Sequence, residues 1–178
     1  MKRSAISKHD YYCAVLATLR ENVNYLSFSS YAVSEYYRWL PNPMEADWFS
    51  YPGCNKKYRY HSKEFHKVFD YYQKQHPQLS SRQLLKTIRK AGISFVREHT
   101  VPVDVVLKML YQNLDNLTED LFWQIMDKYN ITTIVLKTED TRLTQAGVSK
   151  SMPLDWDGKD PFARYKLVGI EIANLDYI

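Results

Sequence analysis

Glu98 and His99 stand side by side at the end of a strand-like apolar run, with Pro102 three residues beyond the histidine. An imidazole titrates near neutral pH, so beside a carboxylate it can move a proton or help hold a cation. The end of a strand, ahead of a new helix, is also where a scaffold commonly presents reactive groups. Downstream lie Glu139-Asp140 and Arg164-Tyr165. Carboxylates are natural oxygen ligands for Mg²⁺ or Mn²⁺, a guanidinium can clamp a phosphate, and a phenol can act as a polar orienter.

A second chemistry is written upstream. Lys56, Lys57, Tyr58, Arg59 and Tyr60 alternate cations with aromatic rings, and Lys63, Lys67, Arg82, Lys86, Arg89 and Lys90 continue the positive charge. Cations meet phosphates and rings stack on bases, so the stretch suits DNA or RNA. Between Lys56 and Lys90 ten Lys or Arg face Glu64 and Asp70 alone, whereas from Glu98 onward 13 Asp or Glu face eight Lys or Arg. That asymmetry predicts a polarised surface; the alternative is that the two charge sets face solvent or pair. His61, His66 and His76 lack metal-ligand spacing on one face and read as surface residues.

The elements that would position these groups follow from periodicity. Ile6, Tyr12, Val15, Leu16, Leu19, Val23 and Leu26 mark a helix over 4–26, and a second runs over 29–40 to Pro41. A loop covers 47–55. Helices are predicted over 62–75, with Phe65, Val68, Phe69 and Tyr72 as its core stripe, and from Ser80 or Ser81 to Gly92. Ile93–Val101 reads as a strand, with Pro102 opening the next helix. Asn116 and Glu119 have capping-box spacing for another. Ile131–Leu136 is the strongest strand signal, being short and β-branched. A loop then runs through Gly147 and Gly158, a last helix occupies 162–168, and 169–172 is extended. The fold class expected is α+β: a mainly helical region over 1–92, and over 93–178 a small two- or three-stranded element with helices, together one compact domain.

The Glu98-His99-x-x-Pro102 segment resembles the first motif of the HNH, or His-Me finger, endonucleases. The resemblance covers about five residues. It implies a metal-dependent nuclease, of the kind found in bacterial or phage defence, with His99 as general base on a water and Glu98 helping to hold one divalent ion. His99 is the last histidine in the chain, so Glu139 and Asp140 would complete the metal set, with Arg164 on phosphate and Tyr165 as orienter. The alternative for the pair is that it caps or shields the helix beginning at Pro102.

Two other function classes stay open. Residues 80–93 are similar to the first helix and turn of a helix-turn-helix, although Ser-Phe-Val-Arg-Glu-His then favours strand over a recognition helix. A chain with 15 tyrosines and four tryptophans also suits a non-catalytic interaction protein, such as an inhibitor, immunity protein or antitoxin, docking a protein partner. Cys13 and Cys54 form no CxxC pair, and no apolar run approaches a membrane span. With no apolar signal core at the N-terminus, the expected location is cytoplasmic.

Overall fold

The computed structural model describes residues 7–21 and 60–174. The expected helix at 29–40, the loop at 47–55, and Lys56, Lys57, Tyr58 and Arg59 lie outside them. The described elements are α1 (Lys8–Glu21), β1 (Tyr60–Ser62), α2 (Lys63–Gln75), α3 (Ser81–Lys90), β2 (Phe95–His99), α4 (Val103–Gln112), a 3₁₀ turn (Leu114–Asn116), α5 (Glu119–Tyr129), β3 (Thr132–Leu136), α6 (Lys137–Gln145), α7 (Ala163–Leu167) and β4 (Ile172–Asn174). The fold is α+β.

The four strands form one mixed sheet in the order β2-β3-β1-β4. β2 and β4 pair antiparallel with their neighbours, while β1 and β3 run parallel. The sheet has four strands rather than two or three because Tyr60–Ser62, which reads as part of the basic–aromatic tract, is a central strand. Since β1 comes from the first half of the chain and β3 from the second, the sheet crosses the expected division at residue 92.

Adjacent positions on β3 show the layering. Ile134 packs with Phe65 and Phe69 of α2 and with Leu84, Leu85 and Ile88 of α3. Val135 packs with Leu143 of α6 and Tyr165 of α7. Successive strand residues point to opposite faces, so the sheet is covered on both sides. A third core lies off the sheet, where Tyr11, Val15 and Leu19 of α1 meet Val106, Leu107 and Leu110 of α4 and Phe122, Ile125 and Met126 of α5.

Local chemistry sets the helix limits. Ser62 caps α2, its hydroxyl accepting the Phe65 N–H at 3.1 Å. Gly92, at φ 84°, ends α3 in a left-handed conformation that glycine adopts without penalty. Two expectations change. Thr118, not Asn116, caps α5, accepting the Leu121 N–H at 3.2 Å, because Asn116 is already spent in the 3₁₀ turn. The segment after β3, expected as loop, is helix α6 over Lys137–Gln145. His61 is buried rather than at the surface, since β1 turns its ring under Phe65 and Phe69. No helix among the described residues is long and apolar enough to cross a membrane.

Candidate functional site

β2 delivers Glu98 and His99 where expected, but to opposite sides of the sheet. Glu98 is in register with Thr133 and His99 with Thr132. On the Glu98 face lie Thr133, Thr100, Tyr165 and Arg164, with the Thr100 and Thr133 hydroxyls 3.0 Å apart. His99 falls on the face of Phe95 and Ile134, beside Asn130.

Arg164 organises the Glu98 side. It is fully buried, and its five N–H groups are all taken by protein acceptors. Nε donates to Thr100 O at 2.9 Å. Nη1 donates to Val148 O at 2.9 Å and Ser149 O at 3.0 Å. Nη2 donates to the Glu98 carboxylate and to the His99 carbonyl. One guanidinium thus closes the end of β2 and the loop after α6 onto α7. It has no donor left for a phosphate. Tyr165 beside it is also fully buried, and that burial holds its phenol well above the ordinary tyrosine value.

Burial lifts the Glu98 carboxyl above its ordinary value, against the opposing charge and hydrogen bond of Arg164. Burial also pushes His99 down to about 4, helped by the positive charges of Arg164 and Arg97 and opposed by the Asn130 side chain. Its Nδ1 is buried without a hydrogen-bond partner among the described residues. At neutral pH His99 is therefore a neutral imidazole of low basicity, whereas an efficient general base has a pKa near the working pH.

The carboxylates expected around a divalent ion are engaged separately. Glu139 is buried in the first turn of α6, where it accepts from Ser62 Oγ at 2.5 Å and from the Leu136 N–H at 2.8 Å. It thereby ties the start of α2 to the start of α6. Asp140 pairs with Lys137 at 2.5 Å and Glu98 with Arg164. Among the described residues no three His, Cys, Asp or Glu side chains converge to hold a metal ion. As arranged, these side chains do not fit a shared Mg²⁺ or Mn²⁺.

The basic residues divide by helix. On α2, Lys63 pairs with Glu171 at 2.5 Å and Lys67 with Glu64 at 2.6 Å. On α3, Leu84, Leu85 and Ile88 are buried while Arg82, Lys86, Arg89 and Lys90 are exposed on the opposite side. Their spacing of three and four residues makes one face. That helix carries no acid, and Arg82, Lys86 and Lys90 make no ion pair among the described residues. The guanidinium of Arg89 lies over the Phe95 ring, 4.5 Å from its centroid. After Gly92 the chain enters β2, so a strand stands where a helix-turn-helix would continue with a recognition helix. Exposed large apolar side chains, Tyr71, Tyr111, Leu154 and Leu167, come from four separate segments. Compared with protein-family models, curated proteins and solved structures, the chain has no match.

Two features escaped the sequence reading. The bonding of Arg164 joins residues more than 60 positions apart, and no local signal announces it. Helix α6 did carry a signal: Gln145-Ala146-Gly147 repeats the ending Lys90-Ala91-Gly92 of α3, and both glycines have positive φ.

Proposed function

We propose that this protein binds nucleic acid, with the outer face of α3 as the surface that meets the phosphate backbone. The supporting observation is the arrangement of Arg82, Lys86, Arg89 and Lys90 along one exposed helix face with no acid among them. A row of cations on a rigid scaffold neutralises successive phosphates and releases their counterions. The burial of Leu84, Leu85 and Ile88 beneath fixes how that row faces outward.

In this reading the Glu98–Arg164 pair has a structural role, and the chain acts by binding rather than by cleavage. The test is fluorescence anisotropy with labelled duplex DNA and with single-stranded and duplex RNA at low salt, using the wild-type chain and Arg82→Gln/Lys86→Gln/Lys90→Gln. Loss of three phosphate contacts is expected to weaken binding by at least about tenfold at low salt. Equal binding by the two proteins rules out α3 as the surface. The same samples incubated with Mg²⁺ or Mn²⁺ examine the nuclease alternative: cleavage that disappears in His99→Ala would replace the binding reading.

A further inference from the structure

At the edge of the sheet farthest from α3, a groove of about 450 Å³ opens between β1, β4 and α7. Its walls include Tyr60, Phe162, Ile170 and Ile172, and Lys63 and Lys166 also line it. Tyr60 and Phe162 meet edge to face with centroids 5.0 Å apart, and both are half-buried. Ring edges and branched aliphatic groups make an apolar surface fit for a flat ring. The two ammonium groups set at the same opening make it fit for an anion. This volume lies within the range of small-molecule sites.

We propose that this groove binds a nucleoside phosphate, the base resting against Tyr60 and Phe162 and the phosphate between Lys63 and Lys166. The proposal does not rest on α3, since β2 with its Arg89–Phe95 contact and β4 are the two outer strands of the sheet. Both lysines are held at the opening by carboxylates, Lys63 by Glu171 at 2.5 Å and Lys166 by Asp160 at 2.7 Å. These pairs are exposed, and exposed pairs are weak enough for a phosphate dianion to displace them. An aromatic surface with neighbouring cations favours a ligand carrying both a π-face and negative charge over one carrying either alone.

The experiment is titration of the full chain with adenosine monophosphate, adenosine, inorganic phosphate and a short oligo(dA), followed by calorimetry. Adenosine monophosphate is expected to bind at least about tenfold more tightly than adenosine or phosphate. Lys166→Gln and Phe162→Leu should each weaken it several-fold, with folding checked by circular dichroism. Glu171→Gln should tighten it by releasing Lys63 and removing a negative charge from the rim. Oligo(dA) also meets α3 in the reading above, so it is titrated against Phe162→Leu. Oligo(dA) binding weakened in step with adenosine monophosphate supports the groove and extends its ligand to a strand. Adenosine monophosphate binding that Phe162→Leu leaves unchanged while Arg82→Gln/Lys86→Gln/Lys90→Gln abolishes it places the nucleotide on α3 and overturns the proposal. Absence of adenosine monophosphate binding at millimolar concentration overturns the proposal. So does affinity unchanged in both Lys166→Gln and Phe162→Leu, or inorganic phosphate binding as tightly as the nucleotide.

Discussion

Glu98 and His99 are back to back across the sheet: the carboxylate meets Arg164 on one face, and the imidazole meets Asn130 on the other. The period-two alternation of a strand requires this separation of neighbours. As arranged, the Glu98 carboxylate is engaged by Arg164, and the His99 imidazole, held at low basicity, is buried on the other face. In the binding reading proposed above, the Glu-His pair serves as two structural contacts, one for each side of the fold.

The His99 side has a pH signature. Its folded value of about 4 lies below the ordinary 6.5, so folding favours the neutral ring. The contribution is fully present above pH 6.5 and is lost as pH falls from there towards 4, by on the order of 3 kcal/mol. Urea unfolding of the wild type at pH 7.5 and pH 5 should show about 2 kcal/mol of this loss, and His99→Gln should show less of it. Parallel pH dependence in the two proteins would remove His99 as the cause.

Arg164→Lys should destabilise the fold by about 3–5 kcal/mol, although charge is conserved. An ammonium offers three donors from one point, whereas the site needs a planar fork reaching five acceptors. Breaking a buried pair also leaves Glu98 without its countercharge. Equilibrium unfolding at neutral pH measures the difference, and a cost under about 1 kcal/mol would show that the network relaxes around the change.

The contrast between these residues and α3 shows what a sequence displays. Leu84, Leu85 and Ile88 repeat at helical spacing because one face must be buried, so α3 and its charged outer side are legible from local pattern. The same logic finds β2, β3 and the Phe65–Phe69 core. Tyr60–Ser62 is too short to show alternation, and it is made a strand by neighbours brought from residues 133–134 and 172–174. α6 has the buried positions Glu139 and Leu143 and an otherwise polar sequence, so its stripe is too thin to register. The engagement of the candidate site residues is hidden for a related reason. Arg164 and Glu139 have the residue types of an active site, and only tertiary structure reveals that their polar groups are already bonded within the protein.

Glu139→Gln should destabilise by about 1–2 kcal/mol, through weaker acceptance from Ser62 Oγ and the Leu136 N–H. Ser62→Ala should cost a similar amount, since it also loses the α2 cap. The two costs should not add, because both variants act on the shared Ser62–Glu139 bond, one weakening it and the other removing it. A double-mutant cycle in urea checks this, and simple additivity would mean that the two helix starts are held independently.

Salt dependence provides the sharpest examination of α3. For duplex DNA the slope of log Kobs against log salt is about −0.9 for each phosphate neutralised. Removing Arg82, Lys86 and Lys90 together should therefore flatten that slope by about 3, whatever the base sequence. Substituting Lys63 and Lys67 should change it less, because their charges are already met by Glu171 and Glu64. Anisotropy titrations from 50 to about 200 mM salt give these slopes directly. If the α2 pair were to matter as much as the α3 row, the phosphate track would have to run across both helices, and the division drawn between paired and unpaired cations would be wrong.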